Sequence, residues 1–292
     1  MLAKKIGKNI KCLACAHYCQ IAPKNFGICG TRKNQKGKLV SLVYGKTAAI
    51  HIDPIEKKPL FHFLPRSEIL SIGTLGCNFR CPWCQNWDIS QKTKGLKSLK
   101  VKKQFDWGEN ISPKEIIRIA TKSKCPSIAY TYNEPAIFIE FAHDTAKLAR
   151  SAGLKNVFVT NGYLSKESFE YIRPYLNAAN VDLKSMDNEF YQKYCGARLQ
   201  PVLDTIRRLH DAKIHIEITT LIIPGVNDSE SNLKKITEFI ANLSVKIPWH
   251  ISRFFPAYKM TYCQPTPISS LKRAKKIAER VGLKYIYIGN IY

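Results

Sequence analysis

The sequence predicts an α/β protein with a parallel sheet, and two observations carry that reading. From Glu68 onward, short apolar stretches rich in β-branched residues alternate with stretches of helical periodicity. Strands that are each followed by a helix pair in parallel through right-handed crossovers. The chain is also long enough. Its 292 residues, 45% of them hydrophobic, suffice for one large domain with a small appendage. A doubly wound sheet and a partial barrel both satisfy this alternation.

The elements follow in order. Ile69 to Ile72 is the first strand, running into a cysteine-rich loop. Ser112-Pro-Lys-Glu opens a helix with a capping box and a proline at its first position, and Ile116, Ile117 and Ala120 form its inner face. Ser127 to Tyr132 is the second strand, and Ala136 to Ala152 a helix stopped by Gly153. Asn156 to Thr160 is the third strand, with Ser165 capping the helix behind it. Asn180 to Leu183 is the fourth, and a helix from Pro201 to Ala212 leads to the fifth, His215 to Ile223. Asp228 or Ser229 caps a helix whose Leu233, Ile236, Ile240 and Leu243 share one face. Trp249 to Phe255 is the sixth strand, Leu271, Ala274, Ala278 and Val281 mark the last helix, and Tyr285 to Ile288 is a candidate seventh strand.

Residues 1–66 read as a separate cysteine-rich unit and linker, with the main domain from 67 to 292. Cys12, Cys15, Cys19 and Cys29 have the spacing C-x2-C-x3-C-x9-C. Four thiolates close a tetrahedral site, and zinc and an iron–sulfur cluster both fit. Unliganded core cysteines are the plain alternative. Lys38 to Tyr44 and Ala48 to Ile52 read as two short strands. The stretch from Asp53 to Phe63, with two prolines, reads as a turn-rich linker.

No apolar run reaches membrane-spanning length and the start lacks a long apolar leader, so the expectation is a cytoplasmic protein without membrane contact. Ten cysteines then mean reduced thiols and metal sites rather than disulfides. The formal charge of +24, from 46 basic against 22 acidic residues, permits polyanion or acidic partners. The lysines are spread along the whole chain, which favours a solvated basic surface. The densest run, Gln91 to Gln104 with Lys92, Lys94, Lys97, Lys100, Lys102 and Lys103, lacks the interleaved aromatics of a single-strand platform.

The chemistry centres on residues 73–90, where Cys77, Cys81 and Cys84 are spaced C-x3-C-x2-C. A loop of this spacing turns three thiolates toward one face of a small iron–sulfur cube, and a cube normally takes four, so one iron is left open. Zinc with only three cysteines, a disulfide framework and plain buried cysteines are the weaker alternatives.

Cys77-Asn-Phe-Arg-Cys81-Pro-Trp-Cys84 resembles the signature of the radical SAM superfamily. The resemblance implies a partial barrel of six β/α units with a 4Fe–4S cluster whose open iron chelates S-adenosylmethionine (SAM). It implies reductive cleavage to a 5′-deoxyadenosyl radical and places Trp83 near the adenine. Parallel barrels carry their chemistry at the C-terminal strand ends, so those ends supply the candidates. Glu134, in Tyr-Asn-Glu-Pro, is either a helix cap or, by resemblance to the family's Gly-Gly-Glu-Pro, a contact to the SAM ammonium. Thr160-Asn161-Gly162 is an ordinary turn or the Thr-Asn-Gly of activating enzymes. Asp182 and Lys184 alternate onto one face; they pair with each other or meet the SAM zwitterion, as the similar activating-enzyme motif does. His250, Arg253 and Tyr258 are weaker candidates for substrate or SAM contacts.

Across nearly the whole chain the sequence is similar to the radical SAM protein of the AmmeMemoRadiSam system, a group akin to pyruvate formate-lyase activating enzymes, which abstract a glycyl hydrogen from a partner. That resemblance implies AMMECR- and MEMO-family partners and an electron donor such as ferredoxin or flavodoxin. Members usually extend past Gly289-Asn290 into another cysteine pair, whereas this sequence stops at Tyr292, as a truncated member would. Two other readings stand beside it: radical SAM modification of RNA, and a non-catalytic metal-binding adaptor for nucleic acid.

Overall fold

Seven parallel strands and one antiparallel edge form the main sheet of the computed structural model, which describes residues 1–95 and 108–291. The parallel strands are Glu68–Gly73, Ser127–Tyr130, Lys155–Thr160, Ala178–Asp182, His215–Ile222, Trp249–Arg253 and Ile286–Gly289. Each pairs with the next in sequence. This sequential order, with helices in the crossovers, is a partial β/α barrel rather than a doubly wound sheet, and the seventh strand is present. Strand limits differ from the sequence reading by a residue or two.

The helix starts are where the chemistry of their caps puts them. Ser112, Ser165 and Ser229 accept from the backbone amides of Glu115, Ser168 and Asn232. The expected helix from Ala136 is a 3-10 turn, Pro135–Phe138, followed by an α-helix at Ile139–Ser151. The polar strand Arg32–Gln35, which pairs with Lys38–Ser41 around a Lys36-Gly37 turn, has no apolar alternation to reveal it. Arg32 is buried there because Glu140 takes its guanidinium at both carboxylate oxygens.

The amino-terminal segment is not wholly separate, which corrects the expected boundary near residue 66. Ala49–Pro54 pairs antiparallel with Glu68–Gly73 as the edge of the main sheet. The linker after it then enters the barrel. Ile55 and Leu60 pack with the strand residues Ile69, Ala129, Val157 and Ala178 in a small apolar cluster of their own. Above it the linker backbone is tied down by side chains. Asn180 Nδ2 donates to the Pro59 carbonyl at 2.8 Å, and the Glu217 carboxylate accepts from the Phe61 and His62 amides at 3.0 and 2.8 Å.

Glu217 is fully buried and also accepts from His215 Nε2 at 3.0 Å and His250 Nε2 at 2.7 Å. His250 is thus a structural residue, stacked on Tyr287 and edge-on to Phe61, rather than a ligand contact. Burial alone would raise the Glu217 carboxyl, but these four donors hold it down to about 2. A folded value below the unfolded one contributes stability above the ordinary carboxylate range, and that contribution is lost as pH falls toward 2. Glu217→Gln should therefore lower stability at pH 7 by about 3 kcal/mol. Urea denaturation of the two proteins measures it, and the gap should narrow as the pH is lowered below 4.

Candidate active site

The strand Glu68–Gly73 delivers the cysteine loop to the C-terminal rim of the barrel. The loop is held tightly on both sides. Gly76 has φ +93°, and a Cβ there would come within 2.5 Å of Thr31 Cγ2 and 2.8 Å of Thr93 Oγ1. Its amide donates to the Ile89 carbonyl at 2.9 Å. Asn161 Nδ2 donates to Asn78 Oδ1 at 2.7 Å and lies 3.9 Å from Cys77 Sγ. Lys94 Nζ donates to the carbonyls of Ile28 and Cys77, joining the loop to the amino-terminal segment.

Cys77, Cys81 and Cys84 line one cavity of about 320 Å³, together with Trp83, Asn161, Asp182 and Lys184. That volume lies within the range of small-molecule sites. The wall below comes from inward-facing strand residues, Val159, Thr219 and Leu221, and the floor from the linker lysines. Lys58 is almost fully buried, with its Nζ 2.8 Å from Asp53 Oδ2 and 2.6 Å from the Tyr132 hydroxyl. Sequence reading missed Lys58 and Tyr132: the folded linker brings Lys58 to the cavity, where it meets Tyr132 beyond the second parallel strand.

Trp83 packs against Phe190 and Tyr194, at centroid distances of 5.6 and 5.9 Å. Lys184 Nζ pairs with Asp182 Oδ2 at 2.8 Å, and the ion pair opens onto the cavity. Burial is the largest single influence and opposes the charge on Lys184, but Asp182 together with the Cys81 and Cys195 sulfurs raises it well above its ordinary range. Arg253 donates to the Thr266 carbonyl and Tyr258 stacks on Trp87, so neither reaches the cavity wall.

Glu134, expected at a SAM contact or as a helix cap, is not among the residues that line this cavity. Its Oε1 accepts from Ala136 N at 3.0 Å and Thr160 Oγ1 at 2.8 Å, and its Oε2 accepts from Asn161 N at 2.8 Å. It caps the turn at Pro135 and fixes the Thr160-Asn161 backbone. Its neighbour Asn133 does line the cavity, and Asn133 Oδ1 is buried without a hydrogen-bond partner. An acceptor that the protein leaves unpaired at a cavity is open to a donor from water or from a ligand. Nothing in the linear motif separates these adjacent residues; only the hydrogen-bond inventory does.

Cys12, Cys15, Cys19 and Cys29 all line one small void of about 10 Å³, together with His17 and Arg32. This segment docks on the barrel rim: Ala16 N donates to the Tyr163 carbonyl, and Ser165 and Ser168 donate to the carbonyls of Leu13 and Ala14. All ten cysteines are free thiols. Burial pushes the thiols of Cys12, Cys15 and Cys19 up, that of Cys12 to about 11, and it raises Cys77 and Cys84 as well. Metal binding here must displace protons. Among the described residues, no three His, Cys, Asp or Glu side chains come together within reach of a single ion.

The Radical SAM superfamily model matches residues 71–236, more than half of the chain and the whole cysteine loop. The chain belongs to the radical SAM superfamily. The family implies a 4Fe–4S cluster and SAM. An uncharacterised protein of Methanocaldococcus jannaschii, MJ0808, is 41% identical over all of this chain and 84% of its own length. The pyruvate formate-lyase-activating enzyme of Clostridium pasteurianum is 23% identical over 58% of this chain and 67% of its own. The structure of Streptococcus suis SuiB bound to S-adenosylmethionine shares the fold, with a TM-score of 0.56 at 14% identity, over 76% of this chain and 52% of that one. The protein is a radical SAM enzyme distantly related to activating enzymes. No helix of the described residues is long and apolar enough to cross a membrane.

Buried Glu134 gives a measurable signature. Burial raises its carboxyl to about 7 against the opposing pull of its three donors. The folded protein then holds a proton that the unfolded chain gives up, so stability falls as pH rises from about 4.5 to 7. Glu134→Gln should remove that part of the pH dependence, up to about 3 kcal/mol in the difference between the two proteins. Urea melts at pH 4.5 and 7.5 measure it. An equal slope in both proteins would assign the pH dependence elsewhere.

Proposed function

We propose that this enzyme is activating-enzyme-like: Cys77, Cys81 and Cys84 hold the 4Fe–4S cluster, and SAM lies in the cavity they line. The observation that carries the reading is the convergence of three thiols, an indole, an ion pair and an orphaned amide oxygen on one cavity. The donor set suits the cluster, since thiolates are its ordinary ligands. It also suits the cofactor's methionyl end. Lys184 offers a cation to a carboxylate, while Asp182 and Asn133 Oδ1 offer acceptors to an ammonium. Trp83 supplies an apolar surface for the adenine, and Asn161 holds the cysteine loop against the strand ends.

The bound cluster and SAM together supply a 5′-deoxyadenosyl radical able to take a hydrogen atom. The chain's own part is to orient the cofactor and keep water from the site. The proposed hydrogen donor is a glycyl group on a partner protein. The proposed partners are AMMECR- and MEMO-family proteins of the AmmeMemoRadiSam system, with a ferredoxin or flavodoxin as electron source. The radical SAM relationship and the similarity to activating enzymes support this class. A second thiolate centre at Cys12, Cys15, Cys19 and Cys29, zinc or iron–sulfur, is proposed because four thiols share one void. The basic segment at residues 96–107, which holds Lys97, Lys100, Lys102 and Lys103, lies outside the described residues. No dedicated nucleic-acid site is proposed for this chain.

Two experiments test the assignments. In the anaerobically reconstituted protein, changing Cys77, Cys81 and Cys84 together to Ala should abolish 5′-deoxyadenosine formation and the EPR signal of the reduced cluster. Elemental analysis of that variant should still find zinc or iron at the amino-terminal cysteines. Cleavage surviving in the variant would end the first assignment, and a metal-free variant the second.

Asp182→Asn should weaken SAM binding by roughly ten- to a hundred-fold, the loss expected for one charge-assisted hydrogen bond of about 1.5–3 kcal/mol. Iron content should stay unchanged. Equilibrium dialysis with labelled SAM measures the affinity, and an unaltered dissociation constant would leave Asp182 only its pairing with Lys184.

A further inference from the structure

Behind the cysteine loop stands a cysteine that the cluster motif does not include. Cys195 is fully buried, and its Sγ lies 3.8 Å from Cys81 Sγ. Its thiol has no other hydrogen-bond partner among the described residues, and Cys195 is absent from the wall of the cavity that Cys81 lines. The contact is built in by the backbone. The π-helical turn Tyr191–Cys195 wraps the loop, and Arg80 N donates to the Cys195 carbonyl at 3.0 Å. Gly196 follows in the left-handed region at φ +67°, and a Cβ there would come within 2.7 Å of Arg80 Nε. Phe190 and Tyr194 from the same segment hold Trp83, and the Tyr191 hydroxyl accepts from Lys184 N at 3.0 Å. The thiol is therefore delivered to Cys81 by a segment that is itself pinned to the site.

We propose that Cys195 is a positioning residue that sets the cluster's reduction potential by donating its S–H to the Cys81 sulfur. The inference rests on the reading of Cys81 as a cluster ligand. Ligation makes Cys81 an acceptor only, so the shared proton must sit on Cys195. Adding one electron makes the cluster more negative, and a donor to a ligand sulfur stabilises the reduced state more than the oxidised one. With Cys195 off the cavity wall, the open iron stays free for SAM.

The test compares wild type, Cys195→Ala and Cys195→Ser, each reconstituted anaerobically and titrated with dithionite under EPR. Iron and sulfide content should be equal in all three. Cys195→Ala should be harder to reduce by about tenfold in the reduction equilibrium, 59 mV for a one-electron couple. Cys195→Ser keeps a donor and should recover part of that shift. An exchangeable proton coupled to the cluster should be seen by ENDOR in wild type and lost in Cys195→Ala. Loss of iron in Cys195→Ala would make Cys195 a ligand and overturn the proposal. Equal potentials in wild type and Cys195→Ala, or equal shifts in both variants, would reduce it to packing. Failure of wild type to bind a cluster would instead sink the underlying assignment of Cys81.

Discussion

The buried carboxylate of Glu217 is the interaction on which the rest of the molecule depends. A partial barrel leaves a bottom to be closed and a sheet edge to be covered. Here one stretch of chain does both. Ala49–Pro54 pairs with the first parallel strand, and the following residues turn into the barrel, where Ile55 and Leu60 fill the lowest apolar layer. That turn buries two backbone amides, Phe61 and His62, which must find acceptors. Glu217 provides both, while His215 and His250 satisfy its remaining lone pairs. With the floor fixed, the space above it becomes a bounded cavity, and Lys58 stands in it at a defined place.

The same logic explains how a short cysteine loop is held in register with distant strand ends. Each parallel strand delivers its last residues to one rim, so Cys77, Asn133, Asn161 and Asp182 meet there despite their separation in sequence. Glu134 ties two of those ends together across the Ser127–Tyr130 and Lys155–Thr160 strands by accepting from both Thr160 and Asn161. The segment Tyr191–Cys195 and the docked amino-terminal residues press on the loop from outside. The loop is thus fixed from three directions by protein before any metal is considered, which is the preorganisation a radical site needs.

Much of this was legible in the sequence, for physical reasons that can be named. Apolar runs such as Ile69 to Ile72 and caps such as Ser112 with Pro113 are local signals, and both elements form as read. The cysteine spacing is local too, and all three thiols share a wall. What escaped was non-local. Arg32–Gln35 is a polar strand paired with Lys38–Ser41, and its buried arginine is satisfied by Glu140, over a hundred residues away. The linker from Asp53 looked like a connector because its prolines and charges say turn, whereas its function depends on partners over a hundred residues away. Cys195 lies far from the motif it touches, so no spacing rule could link them.

Asn133 and Glu134 show what separates a ligand-facing residue from a supporting one. Both are polar and follow the end of the Ser127–Tyr130 strand, Glu134 buried and Asn133 half-buried, and the stronger charge draws attention to Glu134. Yet a carboxylate already accepting three protein hydrogen bonds has little left to offer a ligand, and moving it would orphan two backbone amides and a hydroxyl. Asn133 carries the opposite imbalance: its amide nitrogen reaches the carbonyls of Thr74 and Gly76, while its oxygen is buried without a partner in the protein. The cost of that orphan is removed only when a donor arrives. A site is therefore read best from what the fold leaves unsatisfied, and by that measure Glu134, with its acceptors already used, holds the frame beside Asn133.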